Sequence, residues 1–453
     1  MRERPVGLVA LGTALVLVTY VTPMTTVPQT ASDLGSGAGE RAWILSSMSV
    51  GLAAALLASG ALGDALGRRR VYVLGLALLG LGSLICAVAP SSAVFVAARV
   101  LEGLGGAAML ACGLAILAHA FHEPAARTHA TGVWGASVAV GITVGSVLAA
   151  ALDVGTGWRE TYAVVGGFAL VLVVPSLRWL PESSAAHPRR LDLPGVATLS
   201  AALTLLVSGL TEARAGLSTS TLVLLGAGLL ALVAFVAVER RTTEPMIDLR
   251  LLRSPGFLAT TLAALTVGLG IIGMTSNVPY LVQVGLGGSL WTATWLVVGW
   301  SATSVTASLL LRRVAIPWSG THQIAAALLV LGLGQLLALG IGTASSPWRL
   351  LPALMVAGVA TGVLNAVMGR EAVASVPPDR AAMGSGSNNT ARYLGAACGI
   401  TVFSVLLSHS GEGTGAAGLV DGWSVALLWS SLASVAGAGL VAVTCAYNRE
   451  TTD

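Results

Sequence analysis

Apolar residues in this chain gather in long unbroken runs, and polar residues are confined to the short breaks between them. A helix that crosses hydrocarbon needs about 20 apolar residues. Runs of that kind fall at 7–30, 43–63, 71–89, 93–118, 131–151, 162–180, 195–212, 219–238, 257–282, 290–311, 322–342, 350–369, 391–408 and 423–446. The pattern predicts an all-α polytopic membrane protein of about fourteen spanning helices. Two longer polar stretches, 181–194 and 239–255, divide it. The expected organisation is a first six-helix bundle at 1–180, two inserted helices with their flanking loops at 181–256, and a second six-helix bundle at 257–453. A short echo links the bundles. The fifth run carries Gly141-Ile-Thr-Val-Gly-Ser-Val-Leu148, and the thirteenth carries Gly399-Ile-Thr-Val-Phe-Ser-Val-Leu406. Small apolar residues dominate both, so chance competes with duplication; the match does fall at the fifth helix of each bundle, where an internal duplication places it.

Charge orients the runs. All 24 basic residues are arginine. With the N-terminus inside and the sides alternating, 19 arginines, Arg392 among them, fall in inner loops. Only Arg41, Arg159, Arg214 and Arg349 fall outside, and Arg99 lies within a helix. Cationic loops stay cytoplasmic. A multi-pass protein of the cytoplasmic membrane with both termini inside is therefore expected.

Composition removes several classes. The chain is 55% hydrophobic and 10% charged, with mean hydropathy +0.84, where soluble domains carry about 25% charge. The net charge of +4 is scattered over short loops and forms no nucleic-acid footprint. Cys86, Cys112, Cys398 and Cys445 sit in apolar runs without metal-ligand spacing and read as small hydrophobes. His119, His122 and His129 fall near an inner loop and read as solvated. There is no lysine and no phosphate-binding G-x-x-x-x-G-K-[ST], so ATP-driven work by this chain is not expected. No nucleophile–base pair or ligand cluster marks an enzyme, and no cofactor or metal is expected. The N-terminal run lacks a small-residue cleavage site followed by a soluble domain and reads as the first span.

The candidate chemistry lies in a few polar positions. Gly60-Ala-Leu-Gly-Asp64-Ala-Leu-Gly67-Arg68-Arg69-Arg70 sets one acid and three arginines in a turn between the second and third runs. Arg99 and Glu102 share one face of the fourth helix. Arg99 lies six residues inside its run, about 9 Å deep at about 1.5 Å per residue. A lone arginine there costs about 2.5–3.5 kcal/mol on insertion scales, and a neighbouring acid offsets that. The bland reading is a self-neutralised structural pair. The functional one is a titratable pair whose contact changes with proton or substrate binding. Gly141 and Gly145 give the fifth helix a G-x-x-x-G face for close packing. Trp291, Trp295 and Trp300 crowd the tenth run. Trp291 fits an interfacial belt, whereas Trp295 and Trp300 read equally as cavity lining or lipid contact.

These patterns resemble the major facilitator superfamily. The basic turn resembles its G-x-L-x-D-x-x-G-R-[RK] loop, and Arg99-Val-Leu-Glu102-Gly103 its R-x-x-Q-G, with Glu102 in place of the usual Gln. The fifth helix resembles the antiporter pattern G-x-x-x-G-P, with Ser146 in place of Pro. The first helix is similar to L-D-x-T-x-V-N-V-A-L-P-x-I-x-x-D-L of the fourteen-span drug:proton antiporter branch. Pro28, Asp33 and Leu34 match; the membrane acid falls on Thr19 and the Asn on Met24. The Asn277-Val-Pro-Tyr-Leu-Val-Gln283 stretch, the Ala382 to Gly395 entry of the thirteenth helix and the Trp158-Arg159 corner resemble the same branch. The loop after the tenth helix keeps Arg312-Arg313 without the acid.

The resemblance implies the major facilitator fold, two six-helix bundles plus two inserted helices. It implies proton-driven export of an amphipathic or apolar small molecule, such as an antibiotic. Arg99 and Glu102 are then the coupling pair, and Gly60, Asp64, Gly67, Arg68 and Arg69 the conformational switch. Asn277, Gln283, Trp295 and Asn365 are candidates for cargo contact. Implied partners are the small-molecule substrate, protons and the bilayer; a monomer is expected. An importer or uniporter of a neutral metabolite is the alternative on the same fold, and a membrane-embedded sensor or enzyme a more distant one.

Overall fold

The structure is a computed structural model describing residues 4–121, 123–152, 157–184, 192–213, 216, 218–242, 251, 254–311, 318–376, 381–409 and 415–450. Arg189, Arg190, Arg214, Arg312, Arg313, Arg380 and His122 lie outside the described residues. The described residues are helical with no strand, and 14 helices are long and apolar enough to cross a membrane. They divide into two compact units, Met1–Leu249 and Arg250–Asp453.

The first unit holds α1 (Arg4–Asp33), α2 (Ala38–Leu66), α3 (Arg68–Ala87), α4 (Ser92–Ala120), α5 (Pro124–Ala151), α6 (Trp158–Trp179), α7 (Leu193–Glu212) and α8 (Thr219–Arg241). Several starts are written locally. Asp192 accepts a hydrogen bond from the Gly195 N–H at 2.9 Å, and Ser218 one from Thr221 at 3.2 Å. Such caps satisfy N–H groups that a helix start leaves without partners. Between α2 and α3 the turn is a single residue, Gly67, with φ +108°. That conformation suits glycine alone. The inserted helices pack with this unit. The Ser200 hydroxyl of α7 donates to the Ala54 carbonyl of α2 at 2.6 Å, and Trp43 donates to the Glu212 carboxylate at 2.5 Å. Helix α8 is buried over only 17% of its span, which suits an apolar helix facing lipid.

The second unit holds α9 (Pro255–Gly285), α10 (Leu290–Leu310), α11 (Gly320–Ala338), α12 (Leu351–Ala374), α13 (Ala381–His409) and α14 (Ala416–Glu450). Ser289 caps α10 through the Thr292 N–H at 3.1 Å. Helix α9 is irregular, with wider π-helical turns at Gly268–Ile272 and Leu281–Gly285. The second follows Pro279, which has no N–H to give the regular ladder.

The sequence echo has a packing counterpart. In α5 a methyl on Gly141 would sit 2.5 Å from the Ala14 carbonyl oxygen of α1, and one on Gly145 would sit 2.9 Å from the Val18 backbone. In α13, Gly395 and Gly399 lie as closely on the backbone of α9 at Leu265 and Leu269. Each unit therefore joins its first and fifth helices backbone to backbone.

One boundary corrects the sequence reading. Helix α13 starts by Ala381, ten residues earlier than the run at 391–408. Its first turns are rich in Gly, Ser and Asn, which by composition read as a loop. Side-chain bonds satisfy them as helix: Asn388 Nδ2 donates to the Thr260 carbonyl of α9 at 2.9 Å, and Asn389 Nδ2 to the Ser385 carbonyl of the same helix at 3.1 Å. Arg392 consequently leaves the inner loop and falls inside the span Met383–Leu407.

Candidate functional site

The intramembrane pair forms as the sequence expects. Arg99 and Glu102, one turn apart on α4, are both 0% exposed. Arg99 Nη1 donates to Glu102 Oε2 at 2.8 Å and to the backbone carbonyl of Thr19 on α1 at 2.6 Å. The Ser83 hydroxyl of α3 donates to Glu102 Oε1 at 2.5 Å. One salt bridge thus ties three helices. Room for the carboxylate comes from Gly82, where a methyl would sit 2.8 Å from Glu102 Cγ. The Tyr162 ring of α6 lies 6.0 Å from the Arg99 guanidinium carbon, within cation–π reach. Arg99 Nε and Nη2 have no hydrogen-bond partner among the described residues.

Two of the positions where the chain departs from the family pattern meet here. Position 19 lacks the acid of the helix-1 pattern, and position 102 carries an acid in place of Gln. Both lie against one guanidinium. Sequence spacing did not link them, because they stand 83 residues apart in the chain.

At the other end of the unit, the basic turn docks α3 onto the end of α6. Arg68 Nη2 pairs with Asp64 Oδ1 at 2.7 Å. The Arg68 N–H donates to the Ser183 carbonyl at 2.9 Å, and the Arg69 N–H to Glu182 Oε1 at 3.0 Å. Arg69 Nη1 donates to the Leu177 and Leu180 carbonyls at 3.3 and 3.4 Å, a favourable seat for a cation at a helix C-terminus. A methyl on Gly67 would meet the Glu182 carboxylate at 2.8 Å. Glu182 was missed in the sequence; its only signal is its place directly after Pro181. Gly60 has open space around it, whereas Gly63 packs close to Cys112 Sγ of α4. The Asp64–Arg68 pair is partly exposed, so it contributes little to stability. Asp64→Asn is therefore expected to leave the protein inserted and folded. If the loop is a switch, transport by that variant drops steeply in a vesicle assay; normal transport reduces the loop to a topology signal.

Asp33, at the end of α1, accepts hydrogen bonds from Trp158 Nε1 at 3.2 Å and Arg159 Nη2 at 3.0 Å. Arg159 also donates to the Ala87 and Ala89 carbonyls at 3.1 and 3.0 Å. Phe95, Trp158 and Tyr162 stack edge to face, with centroids 5.4–6.3 Å apart. This aromatic cluster runs from the Asp33 corner to the ring beneath Arg99.

No hydrogen bond among the described residues joins the cargo candidates to one another. Asn277 is engaged at both ends of its amide: Nδ2 donates to the Gly273 carbonyl at 2.8 Å, and Oδ1 accepts from Ser404 at 3.2 Å. It joins α9 to α13. Gln283 donates to the Pro279 carbonyl at 3.3 Å. Trp295 is 52% exposed, whereas Trp300 is buried at 7% with its Nε1 unpartnered. Asn365 is half-buried on α12.

Comparison with known proteins agrees with this architecture. The chain is 31% identical over 392 residues to a probable actinorhodin transporter of Streptomyces coelicolor, covering 84% of this chain and 68% of that one. It is 30% identical to the multidrug resistance protein Stp of Mycobacterium tuberculosis, over 81% of this chain and 68% of the relative. It is 31% identical to the cephamycin export protein CmcT of Amycolatopsis lactamdurans, over 90% of this chain and 85% of the relative. Its fold is similar to that of the human organic anion transporter MFSD10, with TM-score 0.68, 20% identity, and coverage of 97% of this chain and 99% of that chain. The family model described as Major Facilitator Superfamily matches residues 9–400. With that match, the transporter fold and the relatives above, the chain belongs to the Major Facilitator Superfamily.

Proposed function

We infer that the protein exports an amphipathic or apolar small molecule, of the drug or antibiotic kind, across the cytoplasmic membrane in exchange for protons. Relatives named as antibiotic and multidrug transporters support the export reading. The observation that carries the coupling is the buried Arg99–Glu102 pair bonded to α1 and α3.

The chemistry follows from charge. With Glu102 ionised the pair is neutral as a unit. A proton on Glu102 removes the counter-charge and leaves the guanidinium charge uncompensated beside the Thr19 carbonyl, while the neutral acid still accepts its hydrogen bond. In a low-dielectric interior that unit of charge is felt strongly, and it is felt at the α1–α4 contact. Proton binding thereby biases the packing of the helix against which α5 is seated, and alternating access converts that bias into exchange.

A uniporter is the second reading, favoured by Ser146 in the place of the antiporter-pattern proline. The absent helix-1 acid favours it less, because Glu102 supplies a carboxylate to the same arginine. Expression in a pump-deficient host tests the export reading: tolerance to at least one drug should rise, and an uncoupler should erase the rise. Unchanged tolerance across a broad panel contradicts export.

The proposed topology places both termini and the loop at 64–70 in the cytoplasm, in a monomer. Reporter fusions after Arg70 and Arg449 should read as cytoplasmic, and one near Arg349 as external. An external reading at Arg449 overturns the even span count.

A further inference from the structure

Arg392 is a second arginine deep within a membrane span, and the proposed proton exchange does not use it. It is the twelfth residue of α13 and lies inside the span Met383–Leu407. At about 1.5 Å per residue it stands about 16 Å from the first residue of the helix. Unlike Arg99, it has no ion pair among the described residues, and its Nε is buried without a hydrogen-bond partner. Among the described residues of its unit, no acid pairs with it, and the acids within spans lie near helix ends. Glu371 lies in the last turn of α12 and pairs with Arg370 at 3.2 Å, and Asp421 is exposed near the start of α14. An ionisable residue inside a span, without an ion-pair partner among the described residues, points to a functional position.

The backbone of Arg392 is held in place. Its carbonyl lies against Gly268, the first residue of the π-helical stretch of α9, and that contact leaves no room for a side chain at Gly268. One turn earlier, Asn388 bonds α13 to the Thr260 carbonyl of α9. Gly395, one turn later, lies on the Leu265 carbonyl. The cation is thus carried by a tight helix crossing at a π-helical irregularity, a feature common at functional sites.

We propose that Arg392 is an oxyanion-recognition residue of the second unit, whose missing counter-ion is the carboxylate, sulfonate or phosphate of a bound amphipathic molecule. A transported substrate and a lipid headgroup offer the same chemistry. The inference rests on the transporter reading and narrows the cargo to molecules that carry an acidic group beside an apolar body. Exchange of one proton for one monoanion moves two positive charges inward per cycle, so an anionic cargo makes transport strongly dependent on membrane potential.

The test uses two probes of similar apolar shape, 1-anilinonaphthalene-8-sulfonate and its uncharged analogue N-phenyl-1-naphthylamine. Saturable binding of each is measured on the full chain in nanodiscs of zwitterionic lipid. Arg392→Gln should weaken the sulfonate probe about tenfold, the scale of a lost hydrogen bond to a charged group. Binding of the uncharged probe should stay unchanged, and Arg392→Lys should retain part of the sulfonate affinity. A thermal melt of each variant confirms that it is folded. Phosphatidylglycerol added to the nanodiscs separates the sources. Competition with the sulfonate probe that disappears in Arg392→Gln assigns the site to lipid phosphate; absence of competition assigns it to cargo. Equal loss for both probes, or no loss for either, overturns the proposal. Because binding is read without a proton gradient, this result is independent of whether the protein couples to protons.

Discussion

Glu102→Gln is expected to abolish proton-driven export while the protein still inserts and still binds cargo. The substitution keeps the shape of the side chain and the hydrogen bonds available to Ser83 and Arg99, so the three-helix junction survives. It also restores the residue usual at this position in the family pattern. What is lost is the only carboxylate bonded to Arg99 among the described residues. Arg99→Ala should also be severe, because it leaves Glu102 as a buried charge without its cation, and removing one partner of a buried pair costs about 3–5 kcal/mol. The informative variant is the double one, Thr19→Asp with Glu102→Gln. It moves the acid from α4 to the α1 position whose carbonyl already accepts from Arg99 at 2.6 Å. Partial return of gradient-driven export is expected, measured in vesicles against both single variants. A mild Glu102→Gln with a severe Arg99→Ala would make the arginine the coupling element and the acid its neutraliser.

Gly141→Val is expected to damage the first unit far more than a side chain added at Gly135 of the same helix. The new side chain meets the Ala14 carbonyl oxygen and Leu17 Cβ, both within 2.8 Å of where its Cβ must sit. Backbone atoms cannot rotate away, so α1 and α5 have to separate. Overpacking of this kind costs about 1–3 kcal/mol and sometimes more. Gly135, on the same helix, has nothing within 4 Å of the equivalent position. Gly135→Ala is therefore the control. Thermal melts in detergent should show a clear loss for Gly141→Val and none for Gly135→Ala. Equal melts would mean that the G-x-x-x-G face does not set the α1–α5 contact.

The spans were legible because apolar length is a property of sequence alone. The basic turn was legible for a related reason: its glycine and its charges act on residues close by, as Gly67 and the Asp64–Arg68 pair show. The coupling pair was half legible. Arg99 and Glu102 are neighbours on one helix, but Thr19, Ser83 and Tyr162 reach them from three other helices, and no local pattern marks them. Glu182 was hidden similarly, since its partners lie 113 residues away. The start of α13 was misplaced because its Asn and Ser side chains are satisfied by α9 and by the helix itself, which composition does not reveal. Among the cargo candidates, Asn277 illustrates the limit of residue type. A polar residue in a span suggests a ligand, yet both ends of this amide hold helix to helix.

The most direct test of the proton-exchange claim is transport by the unmodified protein in proteoliposomes with an imposed pH gradient. The cargo is a drug identified by the susceptibility screen, with its flux followed with and without an uncoupler. Accumulation against the cargo gradient that collapses on adding the uncoupler is the predicted result. Flux that only runs down the cargo gradient, at the same rate with and without the uncoupler, contradicts proton exchange and leaves facilitated diffusion.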